Sequence, residues 1–175
     1  RDARRLLILC PKTLAANWRS ELRTKFSIPA EIVDVDRLNY HFEELLRQGE
    51  NTRFALIATY TSARGSSEDF EAIRDEEEPR SKMGRMVKAW NEWQHPYFFA
   101  DLVIFDEAHR LRNVYKKGGS QRAKDLKEAL RDPFKILLTA TPLQNSLMEL
   151  YGIVSIIDDD HFGGENAFRA QYAAS

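Results

Sequence analysis

The sequence predicts an α/β fold built on a largely parallel sheet, and two patterns support that prediction. Short, continuously apolar runs recur along the chain and are typical of strands that are covered on both faces. Stretches with apolar residues at helical spacing lie between these runs, and strands that alternate with helices favour parallel pairing. The 175 residues, of which 43% are apolar and 30% charged, suffice for one domain with a sizeable core.

Five runs have the character of β-strands. They are Arg4–Cys10 (RRLLILC), Glu31–Val35 (EIVDV), Phe54–Tyr60 (FALIATY), Asp101–Phe105 (DLVIF) and Phe134–Ala140 (FKILLTA). Most are apolar throughout instead of alternating with polar residues, so we expect helices on both faces of the sheet.

Four stretches have helical periodicity. Their apolar positions are Leu14, Trp18 and Leu22; Leu38, Phe42, Leu45 and Leu46; Ala123, Leu126, Ala129 and Leu130; and Leu147, Leu150, Tyr151 and Val154. Asp36 and Ser120 are the predicted caps of the second and third helices. Ser146 and Glu149 form the pattern of a capping box at the start of the fourth.

The alternation is interrupted between residues 66 and 97. Ser66–Arg80 is acidic and sparsely apolar, and a helical stripe follows it, formed by Met83, Met86, Val87, Trp90 and Trp93. We interpret about 66–97 as an insertion that contains an amphipathic helix. Its stripe is either a partner-binding face or, as we favour, a face that packs against the parent domain.

Composition narrows the classes of protein. The 26 Lys and Arg residues nearly balance the 27 Asp and Glu residues, so no overall positive charge indicates nucleic-acid binding, although a local basic face is compatible with it. A single cysteine, Cys10, argues against a disulfide framework or a cysteine zinc site. The apolar runs are too short to span a bilayer. These features predict an intracellular protein without a membrane partner.

Polar residues gather where the predicted strands end. They are Pro11–Thr13, Thr59–Tyr60, Asp106–His109 and Thr139–Pro142. In open α/β sheets the carboxyl ends of the strands form the edge at which ligands bind. This shared edge is the strongest indication of a functional site.

Asp106 and Glu107 are adjacent carboxylates directly after an apolar strand. Hydrolysis of a nucleoside triphosphate needs a divalent cation to offset phosphate charge and a group that orients the attacking water. One carboxylate can hold Mg²⁺, directly or through water, while its neighbour accepts a proton from the water. Asp106 suits the first role and Glu107 the second. The alternative, a solvated acidic turn, is less favoured because Thr139–Thr141 ends another strand.

Three segments carry a family resemblance. LLILCPKTLAANWRSEL (Leu6–Leu22), VIFDEAHRLRN (Val103–Asn113) and ILLTATPLQNSLMELYGIV (Ile136–Val154) resemble motifs Ia, II and III of the Swi/Snf-type ATPases, in superfamily two of helicase-like proteins. Thr59 and Tyr60 resemble motif Ib. The resemblance implies that residues 1–175 form part of an N-terminal RecA-like lobe with a DEAH sequence.

The resemblance also implies an activity. The parent protein would be an ATP-driven motor that moves along double-stranded DNA and remodels protein–DNA complexes. Asp106 would contact Mg²⁺ through water, Glu107 would be the hydrolytic base, and His109 would relay nucleotide state to the coupling residues of motif III. Those coupling residues are Thr139, Ala140 and Thr141.

Nucleic-acid contacts are implied for two strand ends. Lys12 and Thr13 of motif Ia, with Thr59 and Tyr60 of motif Ib, would approach DNA phosphates. Such contacts are neutral to sequence, because phosphate contacts position a protein without reading bases.

One departure from the family pattern concerns the phosphate loop. None of the eight glycines is followed by Lys and then Ser or Thr, the sequence that holds ATP phosphates in such motors. The nearest imitation, Lys117–Ser120, follows the carboxylates and is better interpreted as a helix cap. In the family this loop precedes motif Ia, and a second RecA-like lobe carries the arginine finger.

We therefore expect a truncated lobe that lacks the phosphate-loop strand. Alone, it should bind ATP and Mg²⁺ poorly and hydrolyse ATP negligibly. The missing strand would leave an apolar edge beside the strand that ends at Thr139, which invites self-association.

Two alternatives to a Swi/Snf-type motor remain open. One is a lobe of another superfamily-two enzyme, such as a restriction-associated or RNA helicase, and the other is a non-enzymatic binding module. Glu107 argues against the second, because a scaffold needs no base. Trp18 is predicted to belong to the core and not to stack on bases. For Arg110 and Arg112, a role at motif II or on DNA and plain solvation are equally favoured.

Overall fold

A five-stranded sheet organises the chain. The computed structural model describes residues 3–60, 88, 99–112, 133–143, 146–158 and 160–172. The strands are β1 (Arg5–Cys10), β2 (Glu31–Val33), β3 (Phe54–Thr59), β4 (Leu102–Asp106) and β5 (Phe134–Leu138). They pair in parallel in the order β2-β3-β1-β4-β5. The predicted α/β class with a parallel sheet is confirmed, as are all five strands, whose ends lie within two residues of the predicted ends.

Helices cover both faces of the central strands. Successive side chains of a strand point to opposite faces, so Leu7 and Leu9 of β1 join one core cluster while Ile8 and Cys10 join another. Helix α2 (Val35–Gln48) supplies Leu38, Phe42 and Leu45 to the first cluster, and α1 (Ala15–Phe26) supplies Ala15 and Leu22 to the second. The alternation of apolar contacts therefore fixes a sheet between two helical layers.

The second helix begins earlier than predicted. Asp34, and not Asp36, is its N-cap, because the Asp34 side chain accepts a hydrogen bond from the Arg37 backbone N–H at 2.9 Å. This cap follows the end of β2 at Val33 and turns the chain into α2. Asp36 lies in the first turn, where a carboxylate interacts favourably with the helix dipole.

Two further helices, α3 (Leu147–Ile157) and α4 (Glu165–Tyr172), follow the last strand. The predicted capping box is wrong. Ser146 precedes α3 but makes no side-chain capping bond; its carbonyl accepts the Glu149 backbone N–H at 3.0 Å. The Glu149 carboxylate turns away because it forms a buried ion pair with Arg112, whose Nε lies 3.2 Å from Glu149 Oε1.

The outermost strand, β5, does not fit the prediction of coverage on both faces. Phe134, Ile136 and Leu138 point to one face and are 73%, 44% and 40% exposed. In the described part of the chain β5 pairs only with β4, so it lies at the margin of the described sheet, away from the strands that α1 and α2 cover. Self-association through this apolar edge stays a prediction.

An ion pair closes the opposite end of the sheet, where β1 and β4 begin. Asp101 Oδ2 accepts the backbone N–H groups of Arg4 at 2.9 Å and Arg5 at 3.0 Å, and the Arg5 guanidinium donates to both Asp101 oxygens at 2.7 and 3.2 Å. Burial alone would raise the pKa of Asp101, but these donors hold it below its ordinary value.

Several predictions concern residues outside the described ranges. They are the helix after Ser120, the Lys117–Ser120 cap and, apart from residue 88, the insertion at about 66–97. Among the helices that the structure does describe, none has the length and apolarity to cross a membrane.

Candidate active site at the carboxyl edge of the sheet

The carboxyl ends of four strands meet at one edge, as the sequence predicts. Cys10 at the end of β1 is in register with Thr59 at the end of β3, and Asp106 at the end of β4 with Leu138 at the end of β5. The residues that follow these ends therefore emerge side by side. The sheet thus brings together the segments that resemble motifs Ia, Ib, II and III.

Asp106 is held by groups from three segments. Its Oδ1 accepts the backbone N–H of Glu107 at 2.9 Å, and its Oδ2 accepts the indole N–H of Trp18 at 2.7 Å. The Tyr60 hydroxyl donates to the Asp106 carbonyl oxygen at 2.7 Å. Side chain and backbone of Asp106 are both anchored.

Glu107 adopts a backbone conformation that is rare for a residue with a side chain. Its φ of 55° and ψ of 46° lie in the left-handed region. The chain turns here out of β4 and into a short 3₁₀ helix, Ala108–Leu111. The turn leaves the Glu107 side chain about one third exposed, with its Oε2 3.0 Å from His109 Nδ1.

His109 connects the segment of Asp106 and Glu107 to the segment that resembles motif III. Its Nδ1 also lies 3.3 Å from Thr139 Oγ1, which in turn accepts the Thr141 backbone N–H at 3.2 Å. A proton on Nδ1 can be donated either to the Glu107 carboxylate or to the Thr139 hydroxyl oxygen. His109 thus contacts Thr139 directly and reaches Thr141 only through it, while Ala140 is exposed beside them.

The residues predicted to meet nucleic acid have different settings. Lys12 and Thr13 are exposed on a short 3₁₀ helix, Lys12–Leu14, between β1 and α1. Thr59 ends β3, and Tyr60 is half-buried with its hydroxyl turned inward to Asp106. Burial, followed by the charge of Asp106, raises the pKa of Tyr60 far above its ordinary value, so the hydroxyl is a donor. Phosphate contact by these four residues stays a prediction.

Cys10 lies beneath the same edge. It is fully buried, and burial followed by the nearby Asp106 carboxylate raises the pKa of its thiol to about 11. A thiol in this state is a poor nucleophile at neutral pH, because the reactive form is the thiolate. We assign Cys10 to the core.

Sequence reasoning missed two contacts of this site. Trp18 packs with the core cluster of α1, as predicted, but its polar N–H reaches Asp106. Arg112 is paired with Glu149 of α3 and donates from Nη1 to the His109 carbonyl at 3.3 Å, so it contacts the backbone of the Asp106–His109 segment. Arg110 is exposed. Residue types alone gave no signal for either contact, because each joins segments far apart in sequence.

The sequence is similar to a protein family and to several known proteins. A family model described as SNF2-related domain matches residues 1–175. An uncharacterized ATP-dependent helicase, YqhH of Bacillus subtilis, is 29% identical over 171 residues, which are 98% of this chain and 24% of that protein. The RNA polymerase-associated protein RapA of Stutzerimonas stutzeri is 28% identical over 97% of the chain and 15% of its own length.

A eukaryotic relative is similar to nearly the same degree. The chromodomain-helicase-DNA-binding protein 1-like of Danio rerio is 28% identical over 89% of the chain and 12% of its own length. The chain therefore spans a quarter or less of each of these three relatives. The family match over all 175 residues, together with the parallel sheet and the motif order along its edge, shows that the chain belongs to the family of SNF2-related domains.

Proposed function

We propose that this chain is part of the N-terminal RecA-like lobe of an ATP-driven motor that moves on double-stranded DNA and remodels protein–DNA complexes. The observation that carries the proposal is the chain of contacts Asp106–Glu107–His109–Thr139 at the carboxyl edge of the sheet. It places a carboxylate pair and its link to motif III where open α/β sheets bind ligands.

The donor set of the site fits Mg²⁺. Within the described ranges, no three His, Cys, Asp or Glu side chains form a metal cage. Mg²⁺ does not need one, because it is commonly held by one or two carboxylates, water and the substrate's phosphates. Each oxygen of the Asp106 carboxylate accepts a hydrogen bond, from Trp18 or from the Glu107 backbone, and has a second acceptor direction that can face a metal-bound water. When bound, Mg²⁺ would offset the charge of the phosphates.

In this proposal Glu107 acts as the general base. One of its oxygens faces His109 at 3.0 Å, and the side chain is exposed enough for water to reach the other. A proton on His109 Nδ1 would donate a hydrogen bond to this carboxylate and orient it. Loss of the γ-phosphate changes the charge next to Glu107, and His109 can pass that change to Thr139 by redirecting its hydrogen bond.

The nucleic-acid surface of the proposal lies beside this site. Lys12 and Thr13 expose a cation and a hydroxyl on the segment that joins β1 to α1. The names of relatives that are DNA-binding or RNA polymerase-associated support a partner on or near DNA. The phosphate grip on ATP and the arginine finger would come from parts of the whole protein outside these 175 residues.

The test is DNA-stimulated ATP hydrolysis by the whole protein with Glu107→Gln. Removal of a general base should lower turnover by roughly 10²- to 10⁴-fold and leave ATP affinity unchanged. Glu43→Gln is the matched control, since Glu43 is an exposed carboxylate on α2, and it should keep full turnover. A Glu107→Gln protein with normal turnover would contradict the proposal. Stimulation by RNA but not by duplex DNA would instead favour an RNA helicase.

A further inference from the structure

We propose that Trp18 is a positioning residue for Asp106, through which it sets the affinity of the site for Mg²⁺; this inference rests on the proposed function. The indole N–H donates to Asp106 Oδ2 at 2.7 Å, although the two residues are 88 positions apart in the chain. The contact joins α1, which begins within the segment that resembles motif Ia, to the first carboxylate of the segment that resembles motif II.

The two donors to the Asp106 carboxylate differ in what they can fix. The Glu107 N–H belongs to the next residue and moves with Asp106. The indole belongs to a different element, so it sets the rotation of the carboxylate relative to the body of the sheet. Partners of this kind orient metal-binding side chains and commonly alter metal affinity when they are removed.

The chemistry of an indole suits this task. Indole N–H is a neutral donor without acceptor capacity. It therefore orients Asp106 without neutralising the carboxylate. A Lys or Arg at position 18 would offer a hydrogen bond too, but its positive charge would oppose a divalent cation nearby.

Trp18 is itself held in place. Its ring is half-buried and packs against the cluster that contains Ile8, Cys10, Leu22 and Ile57. Ile8 and Cys10 belong to β1, the strand next to β4. The indole is thus fixed to the same sheet that carries Asp106, which gives the hydrogen bond a rigid base.

The first experiment compares the whole protein with two variants that lack the indole N–H. Trp18→Phe keeps an aromatic ring, and replacement of Trp18 by benzothienylalanine keeps the shape of indole with sulfur in place of N–H. We expect the Mg²⁺ concentration for half-maximal ATPase to rise about ten-fold in both, with a smaller change in turnover at saturating Mg²⁺. Leu45→Ala is the packing control: Leu45 is buried in the other core cluster, away from Trp18, so its truncation should lower stability and leave the Mg²⁺ dependence unchanged.

The second experiment needs neither metal nor nucleotide. In ¹⁵N-labelled chain, the Trp18 indole N–H signal is identified by its absence in Trp18→Phe. It should move upfield and exchange faster with water in Asp106→Ala, since that variant removes the acceptor. An unmoved signal would overturn the hydrogen bond.

The outcomes separate the two proposals. If the wild-type protein hydrolyses ATP and the Trp18 variants have the same Mg²⁺ dependence as the wild type, the role of Trp18 alone is overturned. A wild-type protein without nucleic-acid-stimulated ATP hydrolysis would overturn the proposed function and the metal role of Asp106 with it.

Discussion

Replacement of Asp101 by asparagine tests the ion pair that closes the amino end of the sheet. Asparagine keeps the size of the side chain but removes the charge that the Arg5 guanidinium faces. Arg5 is 4% exposed as a residue, so its positive charge would stay buried without its carboxylate partner. One of the two oxygens would also become an NH₂ group and could no longer accept a hydrogen bond.

The size of the effect follows from these contacts. Removing one partner of a fully buried ion pair costs about 3–5 kcal/mol. The Asp101 side chain is 21% exposed, so water screens part of the loss, and asparagine still accepts through one oxygen. We expect the free energy of unfolding to fall by about 2–3 kcal/mol. At this chain length that corresponds to a melting temperature lower by roughly 5–10 °C.

The assay is urea unfolding of the chain followed by circular dichroism at neutral pH. Glu21→Gln is the control, because it breaks an exposed pair with Lys25 on α1, and it should change the free energy of unfolding by at most about 0.5 kcal/mol. If Asp101→Asn and Glu21→Gln had equal, small effects, the reasoning would be refuted.

The same ion pair predicts a pH dependence. Since the folded state holds the pKa of Asp101 below its ordinary value, the stabilisation is complete above the unfolded pKa of about 3.9 and is lost as pH falls through the folded pKa. The stability difference between wild type and Asp101→Asn should therefore be constant from neutral pH to about pH 5 and shrink below about pH 4. A difference that grew under acid conditions would contradict this sign.

Three other changes have defined outcomes. Asp34→Ala should lower the free energy of unfolding by about 1 kcal/mol, and Asp36→Ala by less, as chemical unfolding can show, because Asp34 caps α2. Ile136→Lys should reduce any concentration-dependent association seen in light scattering, since it places a charge on the exposed edge strand; unchanged association would exclude that edge. Glu107→Gly should be about 1 kcal/mol more stable than Glu107→Ala in the same unfolding assay, because only glycine adopts φ of 55° without strain; equal stability would mean that the turn is unstrained.

The strands were predictable because a strand that is buried on both faces has apolar residues at consecutive positions. Leu7, Ile8 and Leu9 are apolar on both sides of β1, and both sides are covered. β5 has the same pattern, but its position at the edge of the sheet is a property of the strand order. Composition does not encode strand order, so the exposure of Phe134 was not foreseen.

The candidate site was predictable as a location but not as a set of contacts. Parallel topology places strand ends together, and this brought His109 to Thr139. The destinations of Trp18 and Glu149 depend on how helices pack against the sheet. Trp18 was interpreted as a core residue, and it packs in the core but also reaches Asp106. Glu149 was interpreted as part of a capping box, and it pairs with Arg112 instead.

The Arg5–Asp101 pair has a consequence for how the protein can change. It lies at one end of β1 and β4, while Cys10 and Asp106 lie at the other ends of the same two strands. The stabilising ion pair and the candidate site thus lie at opposite ends of the sheet. Mutations near the amino ends of β1 and β4 can therefore change the free energy of unfolding without altering residues of the candidate site. An engineer who needs a more stable form of this domain should therefore keep Arg5 and Asp101, change residues near them at the amino ends of β1 and β4, and leave the carboxyl ends of these strands unchanged.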